Sequence, residues 1–176
     1  MSKITVVYHS GYGHTQRVAE HVAAGATAEL LAIDAEGNLP EGGWEKLDAA
    51  DAIIFGTPTY MGGPSWQFKK FADASSKPWY SRAWQDKVFG GFTNSASPVG
   101  DKGATMIQLQ TLASQHGGIW VSLGILPANS KAATHADANH LGGSVGLLVR
   151  SPSDAGVDEV PAGDLDTAKR YGQRVA

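Results

Sequence analysis

The amino-acid sequence predicts a doubly wound α/β domain built on a parallel sheet. Three observations carry this. Five short apolar runs, rich in β-branched or aromatic residues, are spread along the 176 residues. Most of them do not alternate apolar with polar positions, which is how strands covered on both faces read. Segments with apolar residues at spacings of three and four lie between them, so strand and helix alternate five times.

The first run, Ile4–Tyr8, leads into the loop SGYGHT (Ser10–Thr15), after which Val18, Ala19, Val22 and Ala23 share one helical face. Glu29–Ile33 is the second strand, and Asp34–Asp48 (DAEGNLPEGGWEKLD) reads as a loop with at most a short helix. The third strand, Ala52–Phe55, runs into FGTPTYMGGPSWQFKKF, where Phe68, Phe71 and Ala72 mark a helix. The fourth, Val88–Thr93, runs into the polar loop Phe92–Gly103 and a helix marked by Met106, Leu109, Leu112 and Ala113. Ile119–Leu123 is the fifth strand. Leu126–Pro161 has weak periodicity, with an apolar patch at Val145–Val149, and reads as a long excursion before a last helix through Leu165, Ala168, Gly172 and Val175. No linker or repeat interrupts the pattern, so residues 1–176 are expected to form a single domain.

Composition narrows the function. There is no cysteine, which excludes a thiolate nucleophile, an iron–sulfur cluster and a disulfide framework. The net charge is −3 with no basic cluster, so neither nucleic acid nor an anionic membrane surface is expected as a partner. The first residues, MSKITVVYHSG, hold too short an apolar run for a signal peptide, and the longest stretch free of Asp, Glu, Lys and Arg (Gly103–Ser130) is too polar to span a bilayer. A cytoplasmic protein is expected.

In an open parallel sheet, ligands bind beyond the carboxyl ends of the strands. The first loop delivers a helix N-terminus there, with free N–H groups and the positive end of the helix dipole, a natural place for phosphate. Ser10 and Thr15 offer hydroxyls, His14 and Gln16 further donors, and Gly11 and Gly13 a close backbone approach. Two other readings stay open at this point. Gly11-x-Gly13-x-x-Gln16 is a dinucleotide fingerprint lacking its third glycine, with Asp34 near the place of a ribose-binding acid. A glycine turn before a capped helix needs no ligand at all. A nucleotide-hydrolase P-loop is excluded, since no Gly-Lys-Ser/Thr appears.

The third loop adds Pro58, Thr59, Tyr60 and Met61, an aromatic and apolar shelf, with Gly62 and Gly63 leaving room for a flat ligand. The fourth offers many small donors. A phosphate nest, a shelf and a hydrogen-bonding rim at one sheet edge suit a planar heteroaromatic with a phosphate tail, and flavin mononucleotide (FMN) is the obvious candidate.

SGYGHT, ADAIIFGTPTYMGGPSWQFKKFAD and TLASQHGGIWVSLG resemble the flavodoxin-like flavoproteins, and within them the WrbA-type NAD(P)H:quinone oxidoreductases. The family's Ser-x-Tyr-Gly-His is matched by Ser10, Tyr12, Gly13 and His14, and its Gly-Thr-Pro-Thr by Gly56–Thr59. The likeness covers about residues 3–124, and the tail matches more loosely. It implies a three-layer sandwich around a five-stranded parallel sheet of order 2-1-3-4-5, with helices on both faces. It also implies that Ser10, Gly11, Tyr12, Gly13, His14 and Thr15 hold the flavin phosphate, with Tyr12 near an incoming nicotinamide. Pro58, Thr59, Tyr60, Met61 and Gly62 would pack beside the isoalloxazine ring, and Asn94, Ser95, Ala96, Ser97 and Val99 would line its polar edge and the ribityl chain. His116 corresponds to a histidine that approaches the flavin, often from a neighbouring subunit, and Trp79 to an aromatic that covers the ring. A homodimer or homotetramer is implied by the same two positions. Here the fourth loop has Ser97, Pro98 and Val99 where the family carries more glycine and threonine.

The activity so implied passes hydride from NAD(P)H to bound FMN and then two electrons to a quinone or similar acceptor, with no general base required. Neither NADH nor NADPH is favoured by the residues, nor is one acceptor. The alternative is a flavodoxin-type electron carrier without its own substrate turnover, and a third reading is a flavin-binding regulatory scaffold. His135, Asp137 and His140 invite a metal reading, but a solvated loop explains them and no metal is expected. Trp44, Trp66 and Trp120 read as packing residues, and Asp101 and Lys102 as surface charges.

Overall fold

A computed structural model describes residues 2–176. Its strands are β1 (Ile4–His9), β2 (Glu29–Ile33), β3 (Ala52–Tyr60), β4 (Gly63–Pro64), β5 (Val88–Ser95), β6 (Ile119–Trp120) and β7 (Leu147–Arg150). The helices are α1 (His14–Ala26), α2 (Gly43–Ala49), α3 (Trp66–Ala74), α4 (Ser76–Tyr80), α5 (Lys102–Gln115) and α6 (Ala162–Val175). The sheet runs β2-β1-β3-β5-β6, with β7 also on β5 and the antiparallel stub β4 on β3. All its other pairings are parallel.

Successive residues of the central strands point into opposite layers, as the pleat requires. Val6, Tyr8 and Ile54 pack with α1 and α6, while Val7, Ile53 and Phe55 pack with Phe68 and Phe71 of α3 and Leu109 of α5. That double burial is why these strands read as unbroken apolar runs. On the first side α1 and α6 meet backbone to backbone. A Cβ on Gly25 would lie 1.9 Å from the Lys169 carbonyl oxygen, and one on Gly172 would lie 2.0 Å from that of Val22. Only two hydrogens allow this approach.

Two elements depart from the sequence expectation. The third strand continues past Phe55 to Tyr60, because Gly56–Pro58 still pair with Phe92–Asn94 of β5. Pro58 is tolerated since β1 ends its pairing at Gly56, which leaves no ladder bond for a proline N–H to make on that side. The chain then turns through Met61 and Gly62, at φ +48° and +82°, and returns as β4. Two consecutive positive φ values are what a tight hairpin needs. The fifth strand is also divided. Ile119–Trp120 pairs with Val88–Phe89 at the start of β5, and Leu147–Arg150 pairs with Phe92–Ser95 at its end. Val121–Gly146 is an excursion from this shared edge, and the patch at Val145–Val149 overlaps the strand that resumes it, Leu147–Arg150.

Candidate functional site

Because β1, β3, β5 and β7 are parallel, their carboxyl ends deliver four loops to one edge. A cavity of about 690 Å³ opens among them, within the usual range for small-molecule sites. Tyr12, His14 and Thr15 reach it from the first loop, Pro58, Thr59 and Tyr60 from β3, and Asn94, Ser95 and Ala96 from β5. A fourth contributor, Ser151 to Val157 beyond β7, was not expected from the sequence.

In the first loop, Ser10 Oγ accepts the N–H groups of Gly13 and Gln16, each at 3.1 Å. Its own proton is left to donate. Gly13 sits at φ +91°, a left-handed turn that lets the chain enter α1 directly. Among the described residues, no acceptor pairs with the N–H groups of Tyr12, His14 or Thr15, so donors gather at the positive end of α1. The Thr15 hydroxyl is committed inward. It donates to Asn94 Oδ1 at 2.6 Å, and Asn94 Nδ2 donates to Ser151 Oγ at 2.8 Å, a buried bridge across three elements. His14 Nε2 lies 2.9 Å from the Ala155 carbonyl oxygen. A carbonyl only accepts, so this nitrogen carries the proton.

The aromatic shelf is a pair. Tyr12 and Tyr60 meet edge to face with ring centroids 6.3 Å apart, and the Tyr60 hydroxyl lies where a Cβ on Gly11 would be, at 2.7 Å. Burial first, and then the neighbouring Tyr12, push the Tyr60 phenol above its ordinary range. Met61 and Gly62 form the hairpin tip, with Met61 fully exposed and outside the cavity wall. The Thr59 side chain points away from solvent, into a chain of hydroxyls with Thr93 at 2.8 Å and Thr105 at 2.7 Å.

The loop after β5 is held from beneath. Lys102, expected on the surface, is buried, and its ammonium donates to the carbonyls of Ser97 and Pro98. Burial pushes its pKa down to about 8, with Asp164 pulling the other way. Arg150 Nε donates to Ala96 O at 3.4 Å. Two cations thus fix the carbonyls of this loop, while Ser97 and Val99 stay exposed and do not line the cavity.

His116 and Trp79 do not join this cluster within one chain. His116 follows α5, beside the start of β5, where Asp86 N–H donates to Gly117 O. That is the opposite end of the sheet. Its ring lies 4.4 Å from that of Trp84, Nε2 is 2.9 Å from Ser75 Oγ, and burial lowers its pKa to about 4. Trp79 shares a small surface hollow with it. His135 and His140 lie with ring centroids 4.1 Å apart and planes tilted by 49°, yet among the described residues no three His, Asp or Glu side chains form a metal-holding group. Trp66, read as a packing residue, is exposed, whereas Trp44 stacks on Phe71 at 5.4 Å. Among the described residues no helix is long and apolar enough to cross a membrane.

The residues that sequence reasoning missed share one cause. Ser151, Ser153 and Ala155–Val157 lie in the segment with weak periodicity, and their signal was the patch at Val145–Val149. Read as a parallel strand, that patch places Ser-Pro-Ser at its carboxyl end, where ligands bind.

Residues 6–133 match the NADPH-dependent FMN reductase family. The chain is 64% identical over 176 residues to Flavodoxin FldP of Pseudomonas aeruginosa (strain UCBPP-PA14), spanning 100% of this chain and 96% of that protein. It is 33% identical over 147 residues to an NAD(P)H dehydrogenase (quinone) of Trichlorobacter lovleyi, covering 70% of this chain and 72% of that one. It superposes on the crystal structure of a flavodoxin, WrbA-like protein from Agrobacterium tumefaciens with a TM-score of 0.83 and 60% identity, over 99% of this chain and 95% of that one. The flavodoxin-like order expected from the sequence is the fold of the chain, with its fifth position shared by two short strands.

Proposed function

The chain belongs to the NADPH-dependent FMN reductase family, with FMN as its cofactor, and from that premise we propose that it is an NAD(P)H-dependent FMN oxidoreductase acting on quinones or similar acceptors. The observation that carries the proposal is the cavity at the carboxyl edge of the sheet, where unpaired backbone donors, a tyrosine pair and a pinned polar loop face one space.

The residues suit the cofactor. Ser10 and the N–H groups of Tyr12, His14 and Thr15 would hold the phosphate at the α1 N-terminus, where both donors and dipole favour an anion. Gly13 lets Val157 close against this loop, since a Cβ there would lie 2.8 Å from Val157 Cγ2. Tyr60 and Pro58 would flank the ring, and Ser95 and Ala96 its polar edge. Bound FMN would supply the redox chemistry, taking hydride from NAD(P)H and giving two electrons to the acceptor. Tyr12, 78% exposed, stands at the mouth, where a second planar molecule would stack. The Thr15–Asn94–Ser151 bridge ties the start of α1 to the carboxyl ends of β5 and β7. A part for Trp79 or His116 at the flavin requires a second copy of the chain.

One observation favours a second reading. The relative matching the whole chain at 64% identity is named a flavodoxin, which supports an electron carrier without substrate turnover. The net charge of −3 gives little of the acidic surface with which a carrier would steer to partners. A visible spectrum with added FMN, followed anaerobically by NADPH, separates the two. Rapid bleaching of the bound-flavin bands and their return on adding benzoquinone is expected of the reductase. Binding without bleaching would move the assignment to the carrier.

A further inference from the structure

The segment Ser151–Val157 closes the phosphate end of the cavity, and its attachment is specific. It starts where β7 ends beside Ser95 of β5, with Ser151 N–H donating to Ser95 O at 3.0 Å. From there it crosses to the first loop. His14 Nε2–H donates to Ala155 O at 2.9 Å, and Val157 packs so closely on Gly13 that a Cβ there would meet its methyl at 2.8 Å. Beyond the contact, Glu159 accepts the Gly156 N–H at 2.6 Å and Val160 is buried, so the segment is anchored on its far side too. In between, Ser151 and Ser153 line the cavity. The Ser151 oxygen accepts from Asn94, which leaves its proton to donate.

We propose that Ser151–Val157 is a binding wall for the polyol phosphate half of the flavin, and that His14 is its latch, a positioning residue rather than a phosphate donor. This rests on the flavin reading of the cavity. The histidine lies in the loop that meets the phosphate, but its protonated nitrogen is occupied by a carbonyl 141 residues further along the chain. A ring so oriented holds the wall against α1. Release of that bond frees the segment at its middle, with β7 and Val160 keeping its ends in place. Ser151 stays tied to Asn94 and Ser95, but the hydroxyl of Ser153, between that anchor and the latch, then loses its fixed distance to the first loop. The ligand chemistry that such a wall recognises is a chain of hydroxyls ending in a phosphate.

Three variants test this: His14→Ala, His14→Gln, whose amide offers a donor at similar reach, and Ser153→Ala at an exposed position. Two readouts are used, binding of FMN and of riboflavin, and amide hydrogen exchange over residues 153–157 in the flavin-free protein. His14→Ala should weaken both flavins about tenfold, the effect of losing one hydrogen bond, and speed exchange over 153–157. His14→Gln should recover most of both, and Ser153→Ala should weaken both flavins severalfold. If His14→Ala weakens FMN alone, with riboflavin binding and exchange unchanged, His14 is a phosphate donor and the latch is overturned. Flavin binding and exchange unaltered by any variant would overturn both latch and wall. A wild-type protein that binds neither flavin would instead sink the flavin reading from which the proposal starts.

Discussion

His116 is the residue whose protonation the fold resists most plainly. Burial against Trp84 lowers its pKa to about 4 from an ordinary 6.5. The folded chain therefore keeps the ring neutral where the unfolded chain already takes up a proton. Stability from this group is full above about pH 6.5 and is lost as pH falls toward 4. Urea unfolding at pH 7 and pH 5 should show a smaller loss for His116→Gln than for wild type, and equal losses would mean that the ring titrates freely. At this scale the sequence was legible wherever a role depends on near neighbours. Ser10 and Gly13 act within six residues of each other. The direction of His14 depends on Ala155, and the burial of Lys102 depends on how the carbonyls of Ser97 and Pro98 fold back over it. A lysine at the start of a helix reads as solvated until that loop is in place.

Among the elements, the pair α1 and α6 is the most demanding contact. Gly25 and Gly172 present their hydrogens to carbonyl oxygens of the facing helix, and the distances leave no room for a methyl. Gly172→Ala should destabilise by about 2–3 kcal/mol through overpacking, lowering the melting temperature by roughly 5–10 °C. A variant melting with wild type would show that the helices separate easily. Helix and strand types were readable from apolar spacing, because both faces of the central strands are covered. The continuation of β3 was hidden by the glycine and proline in GTPTY, which signal a turn unless β5 is known to run alongside. The divided fifth position was hidden for a related reason. Ile119–Leu123 reads as one complete strand and Val145–Val149 as a patch within a loop, and only β5 makes one edge of Ile119–Trp120 and Leu147–Arg150.

For the whole molecule, the three layers and the cavity are expected to unfold together, since the loops that line the site leave strands buried in both cores. A ligand held only by the folded chain then adds to global stability. FMN at a hundred times its dissociation constant should add about 2.7 kcal/mol, seen as a rise of roughly 5–10 °C in the melting temperature. Riboflavin at the same absolute concentration should give less, to the extent that the phosphate is bound.

The contact between α1 and α6 also sets an order of events during synthesis. Chains emerge from the ribosome N-terminus first, so the first loop and the helix behind it are exposed to solvent early. The helix that packs beside Val18, Ala19 and Val22 in the same layer begins only at Ala162, and the wall that meets His14 comes just before it. A nascent chain that has not yet reached Ala162 therefore carries the first loop without the surroundings that hold it in the fold.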